Sequence, residues 1–493
     1  METDWLRRRQ SICPRKVAVI DQDGHTHSYE ELNLQVNKTA NWLLRQGVGK
    51  GSRIAVLSTN HVAHLLLLFA AARIGAIFLP LNFRLSQAEL KGIVDDGAPN
   101  VFIYHGQYSE AAHDLATGRF GTKVYKLQEF LWQLDSVSGD YPALTPVDAE
   151  EPWQLLYTGG TTGIPKGALL PHRMVTWNAI NTVTGWGLEP DDVTIVFSPF
   201  FHTGGLNVLA TPLLYIGGTV ILREKYDAAE ALNLIQRYRA TVIFMVPTMY
   251  QLLSEQKGFD EADFSNIRFM ITGGAPCPAP LIKRFSGKGI MFKQGFGLTE
   301  AGPNCFLMPD HQVSEFTGSV GMPMIHTRVT IRDENDHTLG PGGIGEIVLE
   351  GPHIFSGYWR RPEATANTLK DGKVYTGDLG YFDDNGLFYV VDRKKDMFIS
   401  GGENVYPVEV EAAIHSHSAV LEAAVTGISD PKWGEVGKAF VVLKPGHSLT
   451  ANELLGYLKG QLAKYKVPKE VEFRTELPKN AAGKVLKRQL RGE

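Results

Sequence analysis

Cysteine is scarce in this chain: Cys13, Cys277 and Cys305 are the three in 493 residues. An odd number without a C-x-x-C pair excludes a disulfide framework and a cysteine-based zinc site, and a reducing cytosolic setting is expected. A surplus of charge is also missing. The net charge is -4 with both signs interspersed, so no basic face invites nucleic acid; a small anion held at one local site is compatible. Long apolar runs are lacking too. The greasiest stretch, "LLLLFAAARIGAIFLPL" from Leu65, is interrupted by Arg73 and falls short of the roughly 20 apolar residues of a membrane-spanning helix. The opening "METDWLRRRQSICPRKVAVI" has basic residues with no apolar stretch behind them, so no secretory signal is expected. Nothing repeats at a period of 20 to 50 residues, and no segment is of low complexity.

What is present is alternation. Short β-branched runs and helical patterns follow one another from residue 17 to about 225, the signature of βαβ units and a mainly parallel sheet. "RIAVL" from Arg53 reads as a strand, His61 to Ile74 as a helix, and "AIFLPL" from Ala76 as the next strand. Ser28 with Glu31 forms a capping box. "GTVIL" from Gly218, "AAEALNLIQRYR" from Ala228 and "ATVIFMVP" from Ala240 continue the pattern. From "VTIRDENDHTLGPGGIGEIVLEG" onward, strands separated by Gly, Asp and Asn turns predict a β-rich subdomain. The charged block Asp392 to Asp396 reads as a linker. Behind it, a small α+β domain reads helix, strand, strand, helix ("TANELLGYLKGQLAKY"), strand, and ends on the polar "PKNAAGKVLKRQLRGE". The expected division is 1–391, a hinge at 392–396, and a mobile domain at 397–493. At this length the interior is large enough to enclose a substrate.

The chemistry begins at "YTGGTTGIPKG", Tyr157 to Gly167, with four glycines and three threonines. Gly159, Gly160 and Gly163 leave backbone N–H groups unshielded, Thr158, Thr161 and Thr162 add hydroxyl donors, and Lys166 adds a positive charge. Such a loop suits phosphate oxygens. It is not a Walker A loop, because Pro165 precedes the lysine and Gly167 follows it.

The stretch resembles the phosphate loop of the adenylate-forming (AMP-binding) superfamily, in its acyl-CoA synthetase branch. "FFHTGG" at Phe200, "ITGGAP" at Ile271, "QGFGLTE" at Gln294, "YTGDLG" at Tyr375, "DRKKDMFISGGENVYP" at Asp392 and "PKNAAGKVLKR" at Pro478 resemble its other motifs, in its order. The resemblance implies two half-reactions: a carboxylate attacks the α-phosphate of ATP to give acyl-AMP and pyrophosphate, and the thiol of coenzyme A then displaces AMP.

It also implies residue roles. Glu300 would hold Mg2+, and Thr299 would lie beside the α-phosphate. Gly295, Phe296 and Gly297 on one side, and Gly273, Gly274 and Ala275 on the other, would enclose adenine. Phe296 stands where relatives often have tyrosine. Asp378 and Arg393 would contact ribose. Lys484, from the small domain, would bridge the substrate carboxylate and the α-phosphate, then withdraw as that domain rotates about Lys395 and brings Gly401, Gly402 and Glu403 to the cleft. His202 would line the carboxylate end of an acyl pocket built from Trp177, Phe201, Gly204, Gly205 and Met245. Gly159 replaces a usual serine, which implies altered ATP affinity rather than lost activity.

The aspartate of amino-acid-activating relatives is missing between Phe200 and Leu209. The apolar lining and the room at Gly204 and Gly205 point to a medium- or long-chain fatty acid. An aryl acid of cinnamate, benzoate or succinylbenzoate type is the alternative, as is loading of a carrier protein; a luciferase-like oxygenase would share every motif. Expected partners are the acid, ATP and CoA, with a second copy of the chain as a candidate.

Overall fold

A computed structural model describes residues 2–116, 121–142, 146–158, 165–313, 315–400, 403–480 and 484–491. Among them, a seven-stranded sheet has the spatial order Gly357–Tyr358, Lys166–Pro171, Pro152–Thr158, Ile77–Pro80, Arg53–Leu57, Val101–Tyr104, Lys123–Lys126. From Pro152–Thr158 outward its pairings are parallel. Strands of such a sheet are covered on both faces, which is why "RIAVL" reads as nearly unbroken apolar sequence. The helix Val62–Ile74 is buried along all 13 of its residues, as its apolar composition all round requires. Arg73 is tolerated there because Asp4 pairs with it at 2.8 Å and Asn33 accepts from it at 2.9 Å.

The parallel order breaks at the glycine-rich stretch. Pro152–Thr158 and Lys166–Pro171 pair antiparallel with Thr158 opposite Lys166. Gly159, Gly160, Thr161, Thr162 and Gly163 lie outside the described residues, as do Gly401 and Gly402.

Further parallel strands run Val17–Ile20, Thr219–Leu222, Val193–Val196 in one sheet and Val242–Met245, Phe269–Thr272, Phe292–Gln294 in another. Thr241 N donates to Val193 O at 2.9 Å and joins the two. An antiparallel sheet follows, built from Arg328–Arg332, Gly345–Glu350, Lys373–Phe382 and Phe388–Arg393, in agreement with the expected β-rich subdomain.

The C-terminal sheet places Gly434–Leu443 beside Val420–Asp430, with Glu470–Phe473 parallel to it. Phe398, Val410, Ile414, Val441 and Leu454 form its core. Two local expectations need correction. The helix expected over "TANELLGYLKGQLAKY" stops at Lys459, because Gly460 occupies the C-cap and glycine is a poor helix residue. The polar ending forms the helix Lys487–Arg491, which buries Leu490 with Phe440 and Leu477. The strand Phe388–Arg393 takes in Asp392 and Arg393, because both pair in register with Leu379 and Asp378. Among the described residues no helix is long and apolar enough to cross a membrane.

Candidate active site

Parallel strands put their C-terminal ends on one side, where crevices in α/β sheets take ligands. The motif turns follow such ends. "TGGA" follows Phe269–Thr272, "GFG" follows Phe292–Gln294, and "FFHTGG" lies a few residues beyond Val193–Val196. Gly295 N donates to Thr272 O at 2.7 Å, and a Cβ on Gly273 would stand 3.1 Å from Gly295 O. Gly274 is at φ +81°, a conformation open to glycine at little cost. A Cβ on Gly297 would lie 2.2 Å from Pro303 O, so that glycine is required by the chain folding back on itself. Gly295, Phe296, Gly297 and Thr299 are half-buried, with the Phe296 ring edge-on to Phe306 at 5.7 Å.

Thr299–Ala301 form a single tight turn held from behind by 353–358. Phe355 N donates to Glu300 O at 2.8 Å, and His353 Nδ1 donates to Ala301 O at 2.6 Å. Burial pushes the Glu300 carboxyl up, and the Tyr358 hydroxyl, donating to Oε1 at 2.6 Å, opposes that by favouring the ionised form. Lys166 Nζ stands 5.5 Å over the Tyr358 ring. The hairpin lysine and the acidic turn are thus linked through Tyr358, a residue the motifs did not mark. A buried carboxylate of this kind fits a hard dication such as Mg2+, whose charge would favour the ionised acid.

Asp378 and Arg393 are directly opposite on neighbouring strands, with Arg393 Nε 2.9 Å from Asp378 Oδ1. Burial raises the Asp378 carboxyl; Arg393 and Lys484 pull it back down. Lys484 reaches the same cluster from the C-terminal sheet's side, in a turn where its N–H donates to Asn480 Oδ1 at 2.9 Å. Burial, reinforced by Arg393, lowers its amine to about 8, while Asp378 and Asp396 oppose the fall. Glu300 also feels Arg393 and Asp378, so four of the expected site residues share one electrostatic field. Around the junction, Asp392 accepts from Val408 N at 2.9 Å and Arg491 pairs with Asp396 at 2.8 Å. Burial lowers the Lys395 amine. Glu403 is exposed.

His202 caps the short helix Thr203–Asn207. Its ring packs 4.7 Å from Phe201, which meets Phe83 edge-on at 5.3 Å. Burial pushes His202 down to about 4, with Arg84 adding to the fall, and its Nε2 is buried without a hydrogen-bond partner. A neutral imidazole with a free polar atom suits the carboxylate end of a substrate or an approaching thiol. Beneath it lies a buried amide network. Asn207 Nδ2 donates to Gln154 Oε1 at 2.9 Å, Asn207 O accepts from Asn178 Nδ2 at 2.8 Å, and Asn304 Nδ2 donates to Val208 O at 3.0 Å. It ties the hairpin strand, the His202 helix and the turn after Glu300 together.

Three of the expected pocket residues make other contacts. Met245 is fully buried in the core with Phe197 and Tyr250; successive strand residues face opposite ways, and its neighbour Phe244 is half-buried. Trp177 packs edge-on against His326 at 4.7 Å. Gly205 leaves no room for a chain, because a Cβ there would stand 2.3 Å from Pro199 O. Phe201 stands beside His202, and Gly204 beside the Phe244 ring.

Over residues 6–359 the chain matches the AMP-binding enzyme family, and over 409–484 the AMP-binding enzyme C-terminal domain. A feruloyl-CoA synthase from Amycolatopsis sp is 42% identical over 487 residues, covering 99% of this chain and 98% of the relative. A 2-succinylbenzoate–CoA ligase from Geobacillus sp. (strain WCH70) is 37% identical, covering 99% of this chain and 96% of the relative. The crystal structure of ATP-bound MatB from Rhodopseudomonas palustris superposes with a TM-score of 0.91 at 32% identity, covering 100% of this chain and 99% of that one. Identity at this level along the whole length, together with an Asp–Arg pair that shares one electrostatic field with an acidic turn and a C-terminal lysine, makes this chain a member of the AMP-binding enzyme family and an ATP-dependent acid–CoA ligase.

Proposed function

We propose that the chain activates an aryl-substituted carboxylic acid with ATP and transfers it to coenzyme A. The observation that carries the catalytic reading is the meeting of Lys484 with Asp378 and Arg393, groups more than ninety residues apart in sequence, in one field with Glu300. The aryl reading is supported by the names of the two relatives above and by the aromatic pair Phe201 and Phe83, of which Phe201 packs on His202.

In this reading Gly273, Gly274 and Ala275 face adenine across from Phe296, and Asp378 and Arg393 hold ribose. Thr158, Gly159, Gly160, Thr161, Thr162, Gly163 and Lys166 receive the β- and γ-phosphates. Thr299 lies at the α-phosphate and Glu300 holds Mg2+, which supplies positive charge to the phosphate oxygens. Lys484 brings the acid's carboxylate to the α-phosphate, where an O–P bond forms as the bond to the pyrophosphate oxygen breaks. Positioning and charge are the main levers for such a transfer.

The second half needs Lys484 to leave and a thiol to enter. Rotation of the C-terminal domain about Lys395 would do both, breaking the contact of Asp392 with Val408 and bringing Gly401, Gly402 and Glu403 to the cleft. The sulfur then attacks the carbonyl and AMP leaves. Three free cysteines suit a reducing cytoplasm.

The test is ATP–pyrophosphate exchange with ferulate, benzoate, 2-succinylbenzoate, octanoate and dodecanoate, repeated with CoA while AMP is followed. Exchange led by the aryl acids, with thioester formed on adding CoA, is the expected outcome. A clear lead for the alkyl acids would overturn the aryl reading and restore the fatty-acid one.

A further inference from the structure

We propose that Glu346 is a positioning residue for the ribose of the nucleotide, its carboxylate gripping the chain on both sides of the Asp378–Arg393 pair. The proposal rests on the ribose role read for that pair above.

The strands Gly345–Glu350 and Lys373–Phe382 pair antiparallel but unevenly. Glu346 is opposite Leu379 and Val348 is opposite Tyr375, so the second strand carries surplus residues between those pairs. The surplus is a bulge over Thr376, Gly377 and Asp378, and a bulge re-aims the side chains it carries. Gly377 takes φ +70° there, a conformation suited to glycine. Residues that leave the ladder need other partners for their polar groups. Gly377 N donates to Glu346 Oε1 at 2.9 Å, Thr376 Oγ1 donates to Ile347 O at 2.7 Å, and Asp378 N donates to Thr376 Oγ1 at 3.1 Å.

The second oxygen of the same carboxylate reaches the neighbouring strand. Glu346 Oε2 stands 3.3 Å from Lys394 Nζ, and Lys394 N donates to Gly377 O at 2.9 Å. Gly377 precedes Asp378 and Lys394 follows Arg393, so the residues flanking the pair meet on one side chain. The Glu346 side chain is 14% exposed and that of Lys394 50%. An ion pair so open to water contributes little, whereas a backbone N–H bound to a charged acceptor contributes more. The grip on Gly377 therefore carries the role, and Lys394 orients the carboxylate. Glu346 touches no substrate in this account; it acts through Asp378, whose carboxylate accepts from the ribose hydroxyls only while the bulge holds its backbone in place.

The experiment is calorimetric binding of ATP and of 2',3'-dideoxy-ATP, both with Mg2+, to the full chain and to its Glu346→Ala, Glu346→Gln and Glu346→Asp variants. Binding requires no choice of acid. The wild type should prefer ATP by roughly 10- to 100-fold, as hydrogen bonds to a charged partner predict. Glu346→Ala should lose about fivefold or more of that preference, through weaker binding of ATP and little change for the dideoxy compound. Glu346→Gln, whose amide oxygen still accepts from Gly377 N–H, should keep the preference within about twofold. A merely structural role lowers the folded fraction for both nucleotides alike and leaves the ratio of dissociation constants unmoved. An unchanged ratio in Glu346→Ala, or a Glu346→Gln chain that loses as much as Glu346→Ala, would overturn the proposal. If Glu346→Ala does not fold, Glu346→Asp, with its carboxylate one carbon short of Gly377, supplies the ratio. A wild type that binds both nucleotides equally would refute the ribose reading and this role with it; a wild type that discriminates, beside a Glu346→Ala chain that discriminates equally, would refute the role of Glu346 alone.

Discussion

Lys484 offers the sharpest test of the catalytic reading, because its charge state and its location make separate demands. Replacing it with alanine removes one cation from a cluster that holds Asp378 and Arg393. A unit charge about 4 Å from an anion is worth roughly 4 kcal/mol at an effective dielectric of 20, and loss of one preorganised donor to a developing anion costs about 10²- to 10³-fold. Adenylation should therefore fall by roughly 10²- to 10³-fold in Lys484→Ala, while thioester formation from supplied acyl-AMP and CoA is spared.

The lowered amine adds a pH signature. With Lys484 at about 8 in the free enzyme, the active protonated form is lost as pH rises through that value, and one unit above it about nine-tenths of the enzyme is neutral. The kcat/KM for adenylation should bend downward near pH 8 and fall roughly tenfold per unit beyond, since this parameter reports ionisations of the free enzyme. Lys484→Arg keeps its charge there, so the bend should vanish even where the absolute rate drops. Pyrophosphate exchange from pH 6.5 to 9.5 on the three proteins measures all of this. A Lys484→Ala enzyme with exchange within threefold of wild type, or the same alkaline bend in Lys484→Arg, would refute the assignment.

Other consequences concern the groups that hold the site. Tyr358→Phe removes the donor to Glu300; the carboxyl, already raised by burial, rises further, so the acidic limb of kcat/KM should move to higher pH and the KM for ATP-Mg2+ should increase roughly tenfold. An unmoved acidic limb would remove Tyr358 from the site. Gly205→Ala should cost about 1 to 3 kcal/mol in urea unfolding, because the new methyl meets Pro199 O, whereas Gly204→Ala, facing only the Phe244 ring, should cost less than half as much; equal losses would contradict the packing account. Asn207→Leu strips partners from Gln154, Thr203 and Thr211 and should destabilise by about 3 kcal/mol, with exchange activity falling alongside; a change under 0.5 kcal/mol would show the amide network to be incidental.

Much was legible in the chain because its signals are local. Glycine, threonine and lysine concentrated in eleven residues announce a phosphate loop, and β-branched runs alternating with helical patterns announce parallel sheets, since backbone freedom and side-chain period belong to each segment alone. The motif order carried the family. Contacts between segments were not legible. "VIFM" has the same composition whichever face is inward, so only the packing shows that Met245 is sealed in the core while Phe244 is half-buried beside Gly204 and Gly273. The contact of Trp177 with His326 was hidden for the same reason: the two come from distant segments.

By itself, then, the sequence determined the family, the reaction and the identity of the charged groups. The tertiary structure alone decided that Tyr358 supports Glu300, that Lys484 arrives beside Asp378 with its amine lowered, and that Leu490 anchors the polar ending. Those facts depend on burial and on electrostatic fields, which exist only once segments far apart in the chain exclude water from one another.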